Sequence, residues 1–308
     1  MRNMHEDGDK ARGLVAPALR TIFTLGGAHH PPETRRRMAV ALTCFACSDE
    51  HVKMLVDAQG VPVLEAQLSD AYVASDACDA IANIALSQPQ AVRHIVPQLV
   101  TLIDCEAAVR AIANLCGHFG GEEDDVQCVR SMYDAAGKKM MGLIHRNQHR
   151  VHALRAWEEL SKWLCIEDHF DEQPFKPTSI LIKPFVALLS PYTPPDSLQS
   201  ASKILLNLLA NEANHTAMLE AKVAGAFVCL AADKAIDDEK LQIALFALSH
   251  FTRDKWSFAA LARDTKGFVD KMLRCKDNET MSEAAAAAVC DVLEYLKEKG
   301  ACKEKRAD

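Results

Sequence analysis

Three histidines, His145, His149 and His152, stand at i, i+4 and i+7. That spacing puts three imidazoles on one helix face, where they could hold zinc and leave a fourth position open. Arg146 and Arg150 are interleaved and oppose a cation, and no carboxylate close in sequence offers an orienting partner. The segment therefore reads as a basic, pH-sensitive surface together with Lys138, Lys139 and Arg155. It lacks the interleaved aromatics that stack on single-stranded nucleic acid. Cys44-Phe45-Ala46-Cys47 is formally C-x-x-C. A redox version needs a strand before it and a helix start at the first Cys, whereas Thr34 to Ala46 already reads as helix. Gly26-Gly27 and Gly120-Gly121 are not phosphate loops, and no G-x-S-x-G or H-E-x-x-H occurs. No catalytic residue, metal or cofactor is expected, and the chain is not read as an enzyme.

Composition narrows the class further. The 308 residues are 49% hydrophobic and 25% charged with a formal net charge of −7, which suits a soluble, folded protein. Net acidity argues against bulk nucleic-acid binding, which needs clustered positive charge. No run of about 18 apolar residues occurs, so no membrane span is expected. The 11 cysteines are an odd number spread through apolar segments such as Cys78, Cys116, Cys165 and Cys290. With no apolar core in Met1 to Lys10 to serve as an export signal, reduced thiols in the cytoplasm or nucleus are expected.

The elements that would position any site are helical almost throughout, and they repeat. Met38, Ala41, Leu42 and Phe45 place apolar residues at i, i+4 and i+7 with Ala before the middle one. The pattern returns at Ala77-Ala80-Ile81-Ile84, Ala108-Ala111-Ile112-Leu115 and Ala153-Ala156-Trp157-Leu160. It returns again at Ala201-Ile204-Leu205-Leu208, Ala244-Ala247-Leu248-Phe251 and Ala285-Ala288-Val289-Val292. The residues before the last apolar position are Cys44, Asn83, Asn114, Glu159, Asn207, His250 and Asp291. Their spacings of 39, 31, 45, 48, 43 and 41 average about 41, the length of a two- or three-helix repeat. The spacing of 31 leaves room for two helices, so that repeat is expected to lack its first. A small residue beside two larger ones lets a neighbouring helix approach closely. Trp157 holds a core position of its repeat.

At these residues the chain resembles the armadillo-repeat family. Asp57-Ala58-Gln59-Gly60-Val61-Pro62-Val63-Leu64 is similar to the family's turn before a second helix. Gly13 to Leu19, Ile95 to Val100 and Ala224 to Val228 are weaker copies. Ala82-Asn83-Ile84-Ala85, Ala113-Asn114-Leu115-Cys116 and Leu206-Asn207-Leu208-Leu209 match its third-helix endings. The resemblance implies an all-α fold, a right-handed α-α superhelix (an armadillo-like solenoid) of about seven repeats over residues 13–297. Residues 1–12 are expected to be disordered and 298–308 to form a charged C-terminal tail. The polar loops 118–125, 168–177 and 190–197 read as surface connectors, with Asp196 or Ser197 the expected N-cap of the helix that follows.

The resemblance also implies that third helices line a concave groove. Helical geometry puts a second stripe about 100° to 170° from the core direction. Its members are Asp79, Asn83, Leu86; Arg110, Asn114, Gly117; Arg155, Glu159, Lys162; Lys203, Asn207, Ala210; and Phe246, His250, Arg253. Asn83, Asn114 and Asn207 match the family's asparagine ladder, whose amides pair with both polar groups of a peptide main chain. Arg110, Arg155, Lys162, Lys203 and Arg253 make the centre basic within an acidic chain, and a basic strip attracts anions. The importin-alpha group carries Trp four residues before its Asn; here Asp79, Arg110 and Lys203 stand there, which disfavours a basic cargo. The expected partner is therefore an extended acidic or phosphorylated protein segment held by a non-enzymatic scaffold. The alternative is a structural or regulatory module that works through its convex face, its loops or self-association.

Overall fold

A computed structural model describes residues 15, 17–27, 29–119, 123–146, 150–164, 179–231, 233, 235–253, 290 and 294. The chain divides into two compact units, Met1–Glu159 and Leu160–Asp308. All regular structure among the described residues is helical.

Unit 1 opens with a helical stretch at residues 17–25, then α1 (Pro32–Phe45), α2 (Asp49–Asp57), α3 (Gly60–Gln67) and α4 (Ala74–Ser87). Ser48 starts α2 by accepting a hydrogen bond from the His51 amide. The third repeat begins with α5 (Pro89–Val92) and a 3-10 turn (Arg93–Ile95), followed by α6 (Val96–Thr101) and α7 (Glu106–Cys116). Its first helix is thus cut to about two turns rather than lost, which is how 31 residues suffice. In the fourth repeat, α8 (Glu123–Ile144) runs 22 residues unbroken where the second, third and sixth repeats have two helices. Next, α9 (Arg150–Leu164) crosses the division between the units.

The third helices of unit 1 pack side by side, α1 on α4 and α4 on α7. The alanines predicted to permit this are sealed: Ala77, Ala80, Ala108 and Ala111 have no exposed surface. The exception is Ala41, which is exposed because α1 has no earlier third helix beside it among the described residues. Trp157 is 2% exposed, with Tyr133 meeting it edge-on at 6.1 Å between ring centres.

Unit 2 contains α10 (Ser179–Ala187), α11 (Pro195–Leu209), a 3-10 turn (Glu212–Asn214), α12 (His215–Glu220), α13 (Val223–Ala231) and α14 (Asp238–Arg253). Here α11 packs on α14, and α13 on α14. The expected cap of α11 needs correcting. Pro194 is the N-cap, no side chain caps it, and Ser197 is buried one turn inside. The prolines fix the entry backbone and Pro195 needs no amide partner, so the helix begins ahead of the polar residues. Its far end is finished by side chains: Asn214 Nδ2 donates to Leu208 O and His215 Nε2 to Leu209 O, both at 2.9 Å. These satisfy carbonyls that a helix end leaves open. Residues 1–14, the insertion at 168–177, Trp256, and the seventh repeat and tail apart from 290 and 294 lie outside the described residues.

Among the described residues, two other than glycine have positive φ: Gln59 (64°) and Lys222 (56°). Each precedes a second helix, α3 or α13, and they stand 163 residues apart, about four repeats. The similar turn predicted at Gln59-Gly60 therefore recurs in unit 2 under different residues. Gly60 is required at the first copy, because an added Cβ would lie 2.6 Å from Leu55 Cδ1 and 3.0 Å from Leu55 O. Gly60→Ala is expected to lose about 1–3 kcal/mol through overpacking. Gln59→Gly is expected to gain about 1 kcal/mol by relieving the left-handed backbone. Urea melts of the two variants check both signs; a neutral Gly60→Ala would show that this turn is not close-packed.

Candidate functional site

In unit 1 the predicted stripe lies along α4, α7 and the first part of α9. Its outer members reach solvent: Leu86 is 49% exposed, Gly117 and Arg155 are exposed, and the Arg110 side chain is 35% exposed. The asparagines sit lower. Asn83 is half-buried and donates from Nδ2 to Thr43 O at 3.3 Å. Asn114 is 3% exposed and donates from Nδ2 to Ala82 O at 2.9 Å. Both bonds reach the preceding third helix, to the residue just before that helix's own anchor, Cys44 or Asn83. These asparagines tie repeats together, each bond worth about 1 kcal/mol net. Asn114 Oδ1 is buried with no partner among the described residues.

Arg110 is not a free groove cation. Its Nη2 lies 2.6 Å from Asp79 Oδ1, and the two occupy equivalent places, four before the anchor, in successive repeats. That equivalence, with opposite charge, was the sequence signal for the pair. Burial pushes the Asp79 carboxyl up from its ordinary value, and Arg110 only partly offsets this. A raised folded pKa means the carboxyl's contribution is fully present below its unfolded value and is lost as pH rises through the folded one. The pair thus offsets a desolvation cost more than it adds stability.

Unit 2 carries the same layout. Asn207 is half-buried, and its Nδ2 lies 2.9 Å from Ser161 Oγ, joining α11 to the last turn of α9. Lys162 beside Ser161 and Lys203 one turn before Asn207 are both exposed, as is Ala210. Phe246 on α14 is 61% exposed. His250 and Arg253 fall on α14, but their side chains lie outside the described residues.

The histidines separate. His145 is exposed; His149 lies outside the described residues. His152 Nε2 is 3.7 Å from Glu106 Oε1, and Arg146 Nη1 is 3.7 Å from Asp104 Oδ1. The carboxylates missing from the local sequence come from the start of α7, one repeat earlier. No group of three or more His, Cys, Asp or Glu among the described residues could hold a metal. Cys44 and Cys47 are exposed thiols at the end of α1. No described helix is long and apolar enough to cross a membrane.

No family model and no curated protein match the chain. Among solved structures it is similar to an engineered protein from the Northeast Structural Genomics Consortium, with TM-score 0.67 and 20% identity over 92% of this chain and 72% of that one. It also matches a designed armadillo repeat protein in complex with the peptide (KR)4, with TM-score 0.42, 17% identity, and 90% and 98% of the two chains covered. A third match is a computationally designed armadillo repeat protein for modular peptide recognition, with TM-score 0.44, 18% identity, and 90% and 99% covered. The three-helix repeats and stacked third helices described above, together with the match at TM-score 0.67, make the fold an all-α, armadillo-like helical repeat.

Arg110→Met removes the cation and leaves Asp79 half-buried. The expected loss is about 1 kcal/mol at pH 7, between exposed and buried pairs. The loss is expected to shrink toward pH 4, where the carboxyl takes up a proton. Adding Asp79→Asn should abolish that pH dependence. Thermal melts of the single and double variants across pH 4–7 check it; a pH-independent loss would mean that Arg110 acts through packing alone.

Proposed function

We propose that the chain is a non-enzymatic protein-interaction scaffold that binds an extended acidic or phosphorylated segment along the exposed edge of its third helices. The observation that carries the reading is the arrangement in unit 2. Two exposed lysines, Lys162 and Lys203, stand beside the part-buried Asn207–Ser161 bridge in the chain, one next to Ser161 and one a turn before Asn207. Anions would meet the lysines, and the half-buried amide suits a main-chain polar group. In the same reading Arg155 supplies the exposed cation of unit 1, with His250 and Arg253 continuing the stripe on α14. Asn83 uses one donor on its neighbour, and an amide has two donors and two acceptor sites, so capacity remains for a main-chain group. Asn114, almost wholly covered, serves by holding the repeats together at the centre of unit 1. An intracellular setting fits the unpaired Cys44, Cys47, Cys78 and Cys105.

The test uses two arrays of extended 12-residue peptides, one rich in Glu and phosphoserine and one with Lys in their place, probed with the full chain. Wild type is expected to retain the acidic array and to lose it as salt rises. Lys162→Glu with Lys203→Glu should weaken that binding about tenfold or more, ~1.4 kcal/mol, with circular dichroism unchanged. Equal retention of both arrays, or binding indifferent to the double reversal, would reject the proposal.

A further inference from the structure

The third helices of unit 1 meet through two different faces. Each covers its successor with the residues eight, five and one before its anchor: Arg36, Ala39 and Thr43 on α1, and Ser75, Cys78 and Ala82 on α4. Ala39, Cys78 and Ala82 have no exposed surface, and Thr43 is half-buried. Arg36 pairs with Asp76 of α4 at 3.2 Å, and Thr43 Oγ1 donates to Asp76 O at 3.2 Å. Ser75 Oγ lies 3.5 Å from Cys105 Sγ at the start of α7. Each third helix receives its predecessor with the residues seven, four and three before the anchor and with the anchor itself. These are Asp76, Asp79, Ala80 and Asn83 on α4, and Ala107, Arg110, Ala111 and Asn114 on α7. None of the eight is exposed.

On α1 the receiving residues are Arg37, Val40, Ala41 and Cys44, and all four are exposed. Arg37 is paired with Glu33 of its own helix at 2.9 Å, both side chains lying largely in solvent, a contact worth little. A repeat that ends a stack needs a polar outer face, whereas three of these four residues are apolar or small. The face is of the kind that the chain covers twice over, on α4 and on α7. The covering residues of the seventh repeat, counted from Asp291, are Glu283, Ala286 and Cys290. Glu283 and Ala286 lie outside the described residues and enter by sequence position. Cys290 is helical and exposed, whereas Ala82 in the same slot is sealed.

We propose that the seventh repeat of one copy docks on α1 of a second copy, continuing the contact between third helices from chain to chain. The two faces match slot by slot. Arg36 and Asp76 meet eight and seven residues before their anchors; Glu283 and Arg37 hold the same two slots with the signs exchanged. Ala286 and Cys290 are small, as Ala39, Cys78 and Ala82 are, and they let a helix close on Ala41. At both junctions within unit 1 the anchor amide reaches the carbonyl one residue before the preceding anchor, Asn83 to Thr43 O at 3.3 Å and Asn114 to Ala82 O at 2.9 Å. The same register sets Cys44 of one copy beside Cys290 of the other. The contact joins two different faces, so each pair keeps one free face of either kind and association is not closed at two chains. This inference rests on the faces between repeats, not on the peptide-binding reading, and survives its failure.

Sedimentation of the reduced full chain should show a mass above the monomer that grows with concentration. Arg37→Glu is expected to weaken association about tenfold, and Glu283→Arg by a similar factor. The two reversals combined should restore it, a rescue that a folding defect would not give. Ala41→Arg should leave a monomer with an unchanged melting temperature, because Ala41 is exposed in the isolated chain. Isotopically light and heavy chains, mixed and treated with a short bis-maleimide, should yield a link between Cys44 of one copy and Cys290 of the other ahead of links to exposed Cys47 or Cys229. A monomer at every concentration, the result if residues 1–14 or another protein's helix covers α1 instead, would overturn the proposal. So would association indifferent to Ala41→Arg, or a cross-link from Cys44 to a cysteine other than Cys290.

Discussion

The contact between one third helix and the next is the constraint on which the rest of the structure depends. A short helical repeat cannot bury both sides of its longest helix alone, so that helix must lie against its counterpart in the neighbouring repeat. The approach is close because Ala77, Ala80, Ala108 and Ala111 carry almost no side chain into it. Ile81, Ile84 and Ile112 fill the space beside them, fully enclosed. Once two helices are drawn this near, residues on the rim of the contact come within hydrogen-bond reach of the neighbouring backbone. The asparagine bonds follow from the alanines.

The polar contacts share a span for the same reason. Arg110 to Asp79 covers 31 residues, Asn114 to Ala82 covers 32 and Asn83 to Thr43 covers 40. Cys105 to Ser75 covers 30 and Asn207 to Ser161 covers 46. Each is one repeat long. Stability in such an array is the sum of terms between neighbours, and a change at one contact is felt mainly by the two repeats it joins. The α4–α7 contact carries most: an ion pair, an amide bond and a thiol–hydroxyl contact. Unpaired polar groups in an enclosed contact are costly, so a slip between these helices would leave all three mismatched. That is a reason for polar groups to persist in a contact that alanine packing could make without them.

Much of this was legible in the chain itself, because the cause is periodic. Spacings near 41 residues announced the repeats, and the Ala-before-apolar rule identified sealed positions at Ala80 and Ala111, though not at Ala41. Of the stripe, Arg155, Lys162, Lys203, Leu86 and Phe246 are exposed, as residues turned away from the core direction should be. Burial within the stripe was not legible. Helical angle places Asn114 on the outer side, but only the distance to the next helix decides whether an outer side chain is covered, and that distance is a tertiary quantity. Thr43 O and Ala82 O as acceptors were equally hidden, because every residue has a carbonyl. Asp79 was the opposite case. It stood in the stripe with Arg110 in the same slot one repeat on, and stacking alone makes such residues neighbours. The caps show a third kind of limit. Ser197 satisfied the cap rule, yet Pro194 and Pro195 had already fixed where the backbone could turn.

Holding neighbours and holding a partner draw on the same residues, and the two demands separate along the stripe. At the anchor, depth favours holding the neighbour: Asn114 is almost wholly covered, and its donor is committed. Four residues earlier, sign decides. Where successive repeats carry opposite charges, as at Asp79 and Arg110, the pair closes on itself and the field above it is small. Arg155 and Lys203 hold that slot in the next two repeats and are both cations, each in its own unit, so the alternation of sign stops there. The alternating pair is explained by the stack, because its charges close on each other; a run of one sign has no such closure to explain it.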